Sequence, residues 1–91
     1  MMGWGRRWRK ARRFGWMPPS RGFYPTAPRG DPITLTMEEF EALRLVDYLG
    51  MTQEEAGKSM GVSRGTVWRA LSSGRRKVVQ ALVEGRPIII V

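Results

Sequence analysis

The sequence contains no cysteine and no histidine. Without Cys it can form neither disulfide bonds nor thiolate metal sites, and without His it lacks imidazole zinc ligands and nucleophilic triads with a His base. Asp47 and the Glu residues fall at predicted helix starts and on predicted helix surfaces, where capping and solubility explain them. We therefore expect no catalytic site, no metal site and no cofactor, and predict that the protein is not an enzyme.

Long hydrophobic runs are also missing. No stretch approaches the ~18 apolar residues of a membrane-spanning helix, and the basic N-terminus is not followed by the ~7–15 apolar residues of a signal peptide. We expect a cytoplasmic protein without membrane association. No small-molecule ligand is evident either, because a chain of 91 residues leaves little room for a pocket.

Acidic residues are absent from the first third of the chain. Residues 1–30 carry eight Lys and Arg and no acid, whereas residues 31–91 carry eight bases and eight acids. The first segment also holds six of the nine aromatic residues, and Pro and Gly interrupt it repeatedly. This pattern predicts an extended or partly disordered basic arm over residues 1–30 and one globular domain over residues 31–91.

Local start and stop signals divide the second part into three helices. Thr36 with Glu39, and Thr52 with Glu55, are T-x-x-E capping boxes, and Ser63 is a good N-cap residue. Glycines follow the three apolar stretches, as they commonly do at helix ends. These signals predict helices over residues 37–49, 53–60 and about 64–83.

Each long helix shows an apolar stripe that predicts its buried side. The stripe of the first helix comprises Phe40, Leu43, Val46 and Leu49, and that of the third comprises Val67, Leu71, Gly74, Val78 and Leu82. Gly74 costs ~1 kcal/mol relative to Ala inside a helix. It therefore predicts either a close approach of another helix or a bend.

A short β-prone segment lies at each end of the globular part. The first is Ile33–Leu35, and the second comprises Ile88, Ile89, Ile90 and Val91. We expect them to pair, within one chain or across a dimer, because an unpaired apolar terminus would be an open edge. Together with the apolar Val79 and Val83 on the outer face of the third helix, these two segments predict a homodimer. The alternative is that Phe23 and Tyr24 fold back over these positions.

The second and third helices, separated by Gly61, Val62 and Ser63, have the pattern of a helix-turn-helix. The first of the two would brace the other, whose N-terminal turns would enter the DNA major groove. An αα-hairpin without a ligand is the alternative.

The residues opposite the core of the third helix are the candidate contacts with DNA. At ~100° per residue, Gly65, Arg69, Ser72 and Arg76 lie roughly opposite Val67. Arg69 is best placed for bidentate contact with guanine, and Arg76 for a phosphate. The full candidate set is Ser63, Arg64, Gly65, Thr66, Trp68, Arg69, Ser72, Arg75 and Arg76.

The arm combines cations and aromatic rings, which suits nucleic acid. Its candidate contacts to the DNA backbone or minor groove are Arg6, Arg7, Arg9, Lys10, Arg12 and Arg13, interleaved with Trp4, Trp8, Phe14 and Trp16. RNA and an anionic membrane surface are alternative ligands. A helix over residues 4–16 would have no wide apolar face, which disfavours the membrane.

Two resemblances follow from these residues. The segment 61–67, GVSRGTV, with Arg75, Arg76, Lys77 and Val78, resembles the DNA-binding region four of extracytoplasmic-function sigma factors. The wider chain, with RKARR at 9–13, FYP at 23–25 and LTMEEFEALRL at 35–45, resembles a family of small, uncharacterised prokaryotic proteins predicted to bind DNA. The second resemblance covers residues from about 6 to 90 and implies a free-standing DNA-binding protein.

Together these patterns predict a mainly α fold. It would be a three-helix, sigma region four-like helix-turn-helix domain with a short strand at each end and an extended basic arm. The expected function is sequence-specific binding of double-stranded DNA in transcriptional regulation. The alternatives are an RNA-binding or ribosome-associated accessory protein and a protein-interaction module with a degenerate helix-turn-helix.

Overall fold

The computed structural model describes residues 17–91, and these residues are mainly helical. The predicted arm contacts Arg6, Arg7, Arg9, Lys10, Arg12 and Arg13 lie outside this range. The elements, in chain order, are β1 (Gly22–Phe23), β2 (Ile33–Leu35), α1 (Met37–Ala42) continuing into a π-helical segment (Leu43–Tyr48), α2 (Gln53–Met60), α3 (Arg64–Glu84) and β3 (Ile88–Ile90). The three predicted helices and the strand at each end are therefore confirmed.

The helix starts follow the predicted capping signals. The Thr36 side chain accepts a hydrogen bond from the Glu39 N–H while the Glu39 carboxylate accepts one from the Thr36 N–H, and Thr52 and Glu55 repeat this exchange. Ser63 caps α3 by accepting from the Thr66 N–H. Gly61 and Gly85 end α2 and α3 in the left-handed region, at φ 76° and 69°.

The first helix widens in its second half, which changes its buried side. The Leu49 N–H donates to the Arg44 carbonyl oxygen five residues earlier, at 2.9 Å. Because a π turn holds more residues than an α turn, the predicted stripe does not stay on one side. Ala42 and Leu45 are fully buried, whereas Leu49 is half exposed. The predicted position of Leu49 in the core was wrong.

The main core lies where α2 and α3 meet the first helix. Its buried side chains include Leu45, Ala56, Met60, Val67 and Leu71, and Val62 in the turn packs against them. This cluster fixes the orientation of the start of α3 relative to α2. The outward side chains of α3 therefore have a defined direction.

The stripe predicted for α3 is correct in its first part and wrong at its end. Val67, Leu71 and Gly74 are buried, but Leu82 is 76% exposed and Ala81 is buried instead. A step of four residues advances ~40° around a helix, and a step of three returns ~60°. Measured from Val67, Ala81 lies at about −40°, close to the buried Gly74 at about −20°, whereas Leu82 lies at about +60°. Ala81 is therefore nearer the core than Leu82.

The three strands form one small sheet in the order β1-β3-β2. β2 and β3 are parallel, with Ile33 opposite Ile88 and Leu35 opposite Ile90. The predicted pairing of the two end strands is thus confirmed within one chain. β1 pairs antiparallel with the other edge of β3. No strand was predicted there, but the alternative in which Phe23 folds back over the C-terminal segment is confirmed for this strand. Both edges of β3 are occupied, so this strand has no free edge for a partner chain.

Part of the predicted arm packs on the helical domain. The Ile90 N–H donates to the Arg21 carbonyl oxygen at 2.7 Å, and the Arg29 N–H donates to the Gly85 carbonyl oxygen at 2.8 Å. Phe23 lies in the sheet, yet Val79 and Val83 stay exposed. The alternative in which Phe23 and Tyr24 cover these two valines is therefore not what the structure shows.

Two glycines allow close contacts between elements: Gly57 between α2 and the turn that follows it, and Gly74 between α3 and the first helix. A Cβ atom at position 57 would lie 2.8 Å from the Val62 carbonyl oxygen, and one at position 74 would lie 3.1 Å from Leu43 Cδ1. Helix α3 continues through Gly74. Of the two predictions for this glycine, close approach is the one that the structure confirms.

Glu39 links the start of α1 to the middle of α3. Its Oε1 accepts from the Thr36 N–H and from Lys77 Nζ, both at 2.9 Å, and its Oε2 accepts from Ser73 Oγ. The residue is only 7% exposed. Burial raises the pKa of this carboxyl, but the hydrogen bonds from Ser73, Thr36 and Lys77 together hold the pKa below its ordinary value.

We predict that Gly57→Ala destabilises the protein by about 1–3 kcal/mol, because the added methyl group would press on the Val62 carbonyl oxygen. The measurement is urea unfolding followed by circular dichroism. Gly65→Ala is the matched control, since a Cβ there meets nothing closer than 3.7 Å. Equal stabilities of the two variants would contradict the close approach.

We predict that Glu39→Gln lowers the free energy of unfolding by about 1–3 kcal/mol at pH 7, because the uncharged amide can still cap α1 but loses the charge that Lys77 pairs with. A carboxyl whose pKa is lowered in the folded state stabilises that state at pH values above its unfolded-state pKa of ~4.3. This contribution is lost as the pH falls through the folded-state pKa. The difference between wild type and variant should therefore shrink by pH 3.

The readout is again urea unfolding, at pH 7 and at pH 3. Glu54→Gln is the control, because Glu54 is an exposed first-turn residue of α2. A difference that does not change with pH would show that the Glu39 charge is not what stabilises this junction.

Candidate nucleic-acid interface

The first half of α3 presents a polar, positively charged face to solvent. Of the nine predicted contact residues, seven are exposed: Ser63, Arg64, Gly65, Trp68, Arg69, Arg75 and Arg76. Trp68 is 50% exposed, so half of its surface is available to a ligand. Val67 packs in the core, so the residues roughly opposite it on the helix, Gly65, Arg69 and Arg76, face outward. Arg64, Trp68 and Arg75 lie on one flank of this outward face.

A chain of polar contacts marks the N-terminus of α3. Ser63 Oγ lies 3.0 Å from Thr66 Oγ1, and Arg69 Nη2 donates to Thr66 Oγ1 at 3.3 Å. The guanidinium thus extends back over Gly65, where a Cβ atom would lie 3.7 Å from Arg69 Nη1. The structure brings four predicted contact residues together at one helix end.

The same helix end lacks the acids that the other two helices carry. The first turns of α1 and α2 each contain two Glu residues, whereas the first turn of α3 contains no acid and begins with Arg64. The first N–H groups of a helix lack intrahelical partners and favour a negative charge. On α3 that preference is not met by the helix's own side chains, so an external anion is favoured there.

The basic residues of the turn before α3 and of α3 up to residue 77 fall into two groups. Residues 61–77 hold five bases and no acid. Arg75 donates two hydrogen bonds to Asp47, at 2.8 and 3.0 Å, and Lys77 pairs with Glu39. Among residues 17–91, Arg64, Arg69 and Arg76 form no ion pair with a carboxylate.

The pairing changes how Arg75 can act. Its hydrogen bonds to Asp47 hold the pKa of that carboxyl below its ordinary value, against the opposing effect of burial. Arg75 is therefore neutralised locally and connects α3 to the π-helical segment. Its partner could not be found from the sequence, because Asp47 lies 28 residues earlier.

Ser72 differs from its prediction. The sequence places it on the outward face, but its hydroxyl is buried and has no hydrogen-bond partner among the described residues. Trp68 and Arg76 lie one turn before and after it on the same side of the helix, and both are much longer. Ser72 itself is half-buried, and its hydroxyl oxygen lies beneath the surface in this structure.

An open apolar groove of about 710 Å³ lies on another side of the molecule and was not foreseen from the sequence. Its walls come from the sheet, the first helix and α3, including Phe23, Phe40, Tyr48, Val78 and Ile88. Its polar rim residues are already paired, Arg44 with Glu41 and Asp47 with Arg75. The groove therefore lacks the convergent polar groups that usually orient a small ligand.

Comparison with known proteins gives the family. A family model described as "Protein of unknown function DUF134" matches residues 1–91. The chain belongs to this family. The DUF134 match includes the basic arm as well as the helical part, and it confirms the resemblance to small, uncharacterised prokaryotic proteins.

Relatives that carry the name UPF0251 protein are found in several prokaryotes. One from Pyrococcus furiosus is 64% identical over 92 residues, which cover 96% of this chain and 85% of that protein. One from Thermococcus kodakarensis is 64% identical over 83 residues, covering 87% and 74%. One from Archaeoglobus fulgidus is 43% identical over 75 residues, covering 81% and 71%.

No solved structure matches this chain. Among residues 17–91, no helix combines the length and the apolar character that crossing a membrane requires.

Proposed function

We propose that this protein binds double-stranded DNA sequence-specifically and regulates transcription. The observation that carries the proposal is the outward face at the start of α3. There the exposed Arg64 and Arg69, which pair with no carboxylate among residues 17–91, and half-exposed Trp68 surround an acid-free helix N-terminus. In this proposal α2 and α3 form a helix-turn-helix like that of sigma region four. The protein would act in the cytoplasm, where prokaryotic DNA is found.

Arg69 is the residue proposed to read a base. Its guanidinium is held near Thr66 by a long hydrogen bond of 3.3 Å, which guanine O6 and N7 can replace with two better ones. The guanidinium lies over Gly65, where a Cβ atom would be 3.7 Å from Arg69 Nη1. This arrangement keeps the guanidinium at the helix end that enters the ~12 Å major groove first.

The neighbouring polar groups suit the phosphates that flank such a contact. The α3 N-terminus with Ser63 and Thr66 offers N–H and hydroxyl donors, and Arg64 adds a positive charge on the same turn. Trp68 would pack on sugar or a thymine methyl. Phosphate contacts of this kind set the register of the protein on DNA without reading sequence.

The rest of the domain supports this orientation. Gly57 lets α2 approach the Val62 carbonyl oxygen, and the buried cluster around Met60 and Val67 keeps α2 and α3 together. Helix α3 could then enter the groove as a rigid unit, with α2 crossing above the backbone.

The arm is proposed to supply affinity that salt can remove. Its six bases Arg6, Arg7, Arg9, Lys10, Arg12 and Arg13 lie in a segment, residues 1–30, whose sequence contains no acid. Each phosphate they neutralise on duplex DNA adds about −0.9 to the slope of log affinity against log salt. They would lie on the backbone or in the minor groove beside the site that α3 reads.

We predict that Arg69→Ala loses about 1–3 kcal/mol of discrimination between a selected duplex and a scrambled one, while binding to the scrambled duplex changes little. The physical reason is the loss of a bidentate base contact. The duplex is first selected from random DNA with the wild-type protein, and affinities are measured by fluorescence anisotropy.

Arg29→Ala is the matched control, since it removes the same charge at an exposed position beside Gly85. Gly85 follows α3 and is 16 residues, or ~24 Å along the helix axis, from Arg69. Discrimination should survive in this variant. Equal weakening of Arg69→Ala on both duplexes would show that Arg69 contacts only phosphate.

A further inference from the structure

The second half of α3 exposes an apolar pair that the fold itself does not explain. Val79 is 55% exposed and Val83 is 79% exposed. Together with Arg75, Arg76, Gln80 and Glu84 they line a shallow surface concavity of about 490 Å³. Among residues 17–91, nothing covers this face.

We propose that a second copy of this chain covers it, with the two α3 helices packed antiparallel about a two-fold axis near Gln80. Val79 and Val83 of one copy would pack between those of the other and bury the apolar pair of both. We call the surface formed by Arg76, Val79, Gln80, Val83 and Glu84 the α3 dimer face.

The charges on the α3 dimer face are complementary to themselves. Arg76, Gln80 and Glu84 follow one another at four-residue spacing and lie on the same side of the helix. An antiparallel two-fold arrangement places each Arg76 beside the Glu84 of the other copy and the two Gln80 side chains beside each other. A parallel arrangement would instead place Arg76 against Arg76, which is unfavourable.

Both charged groups have capacity for the new contact. Arg76 forms no ion pair within the described part of the chain. Glu84 uses Oε1 to accept from Arg86 Nη1 at 2.9 Å, whereas Oε2 has only a 3.4 Å contact with Gln80. The last turn of α3 also contains no base of its own, so a guanidinium from the second copy would offset the negative end of the helix.

The pairing leaves the start of α3 accessible. The turns from Arg64 to Arg69 are centred ~20 Å along the helix from Gln80. The proposal therefore goes beyond the proposed function and does not depend on it. It gives Arg76 a role in assembly in place of the predicted phosphate contact. It also places the dimer contact on α3 and not on β3, because both edges of β3 are already paired.

Charge exchange tests the proposal on the full-length protein without DNA. Sedimentation equilibrium at about 0.1 M salt should show a dimer for the wild type. Arg76→Glu and Glu84→Arg should each raise the dimer dissociation constant by at least ~tenfold, since each sets two like charges together twice per dimer. The double variant Arg76→Glu with Glu84→Arg should restore dimerisation to near the wild-type value.

A pair of aspartate variants tests the apolar part of the same face. Val83 and Leu82 are almost equally exposed, at 79% and 76%, but only Val83 lines the concavity. Val83→Asp should abolish the dimer, and Leu82→Asp should leave it intact. Circular dichroism and urea unfolding of each variant confirm that it is folded.

A wild type that stays monomeric at all concentrations would overturn the proposal. So would a dimer that neither the single charge changes nor Val83→Asp weakens, or single-variant defects that the double variant fails to repair. Failure of Arg69→Ala to affect DNA discrimination would leave these outcomes unchanged, so the two proposals are tested separately.

Discussion

Two close approaches hold α3 in place, and the other features of the molecule depend on them. Gly57 brings α2 against the Val62 carbonyl oxygen, and Gly74 brings the first helix against α3. A side chain at position 57 would collide with backbone, and one at position 74 would require the Leu43 side chain to move by a few tenths of an ångström. Because the helices pack this closely, the core residues of α3 determine which side chains of the same helix point outward.

The orientation of α3 sorts its positive charges by task. Arg75 and Lys77 reach back to Asp47 and Glu39 and join α3 to the first helix, whereas Arg64 and Arg69 remain directed to solvent. The whole net charge of +8 lies in residues 1–30, because the bases and acids of residues 31–91 balance. The arm would supply affinity for any polyanion, while a few arginines on a rigid helix would choose the site.

Sequence reasoning succeeded where the determining interaction is local. The two capping boxes, the Ser63 cap and the glycine helix ends each lie within a few residues of the boundary they define, and the observed boundaries agree with them to within about one residue. The pairing of the two end strands was also predictable, because four consecutive β-prone residues at a terminus need a partner.

The remaining features depend on contacts that are distant in sequence. The two-residue β1 has no pattern of its own and exists because β3 has a second edge to pair. The π-helical segment moved Leu49 out of the core, and nothing in an apolar stripe at three-residue spacing distinguishes a π turn from an α turn. At the candidate interface, the face itself was predictable from helix geometry, whereas the Arg75 pairing and the buried Ser72 hydroxyl depended on neighbouring side chains.

The most direct test of the central proposal compares duplex DNA, duplex RNA and single strands of matched length as ligands of the full-length protein. Fluorescence anisotropy at several salt concentrations separates charge-driven affinity from structural preference. The account predicts tighter binding to duplex DNA throughout, with affinity falling linearly with salt on logarithmic axes. Preference for RNA or single strands across the whole salt range would contradict it.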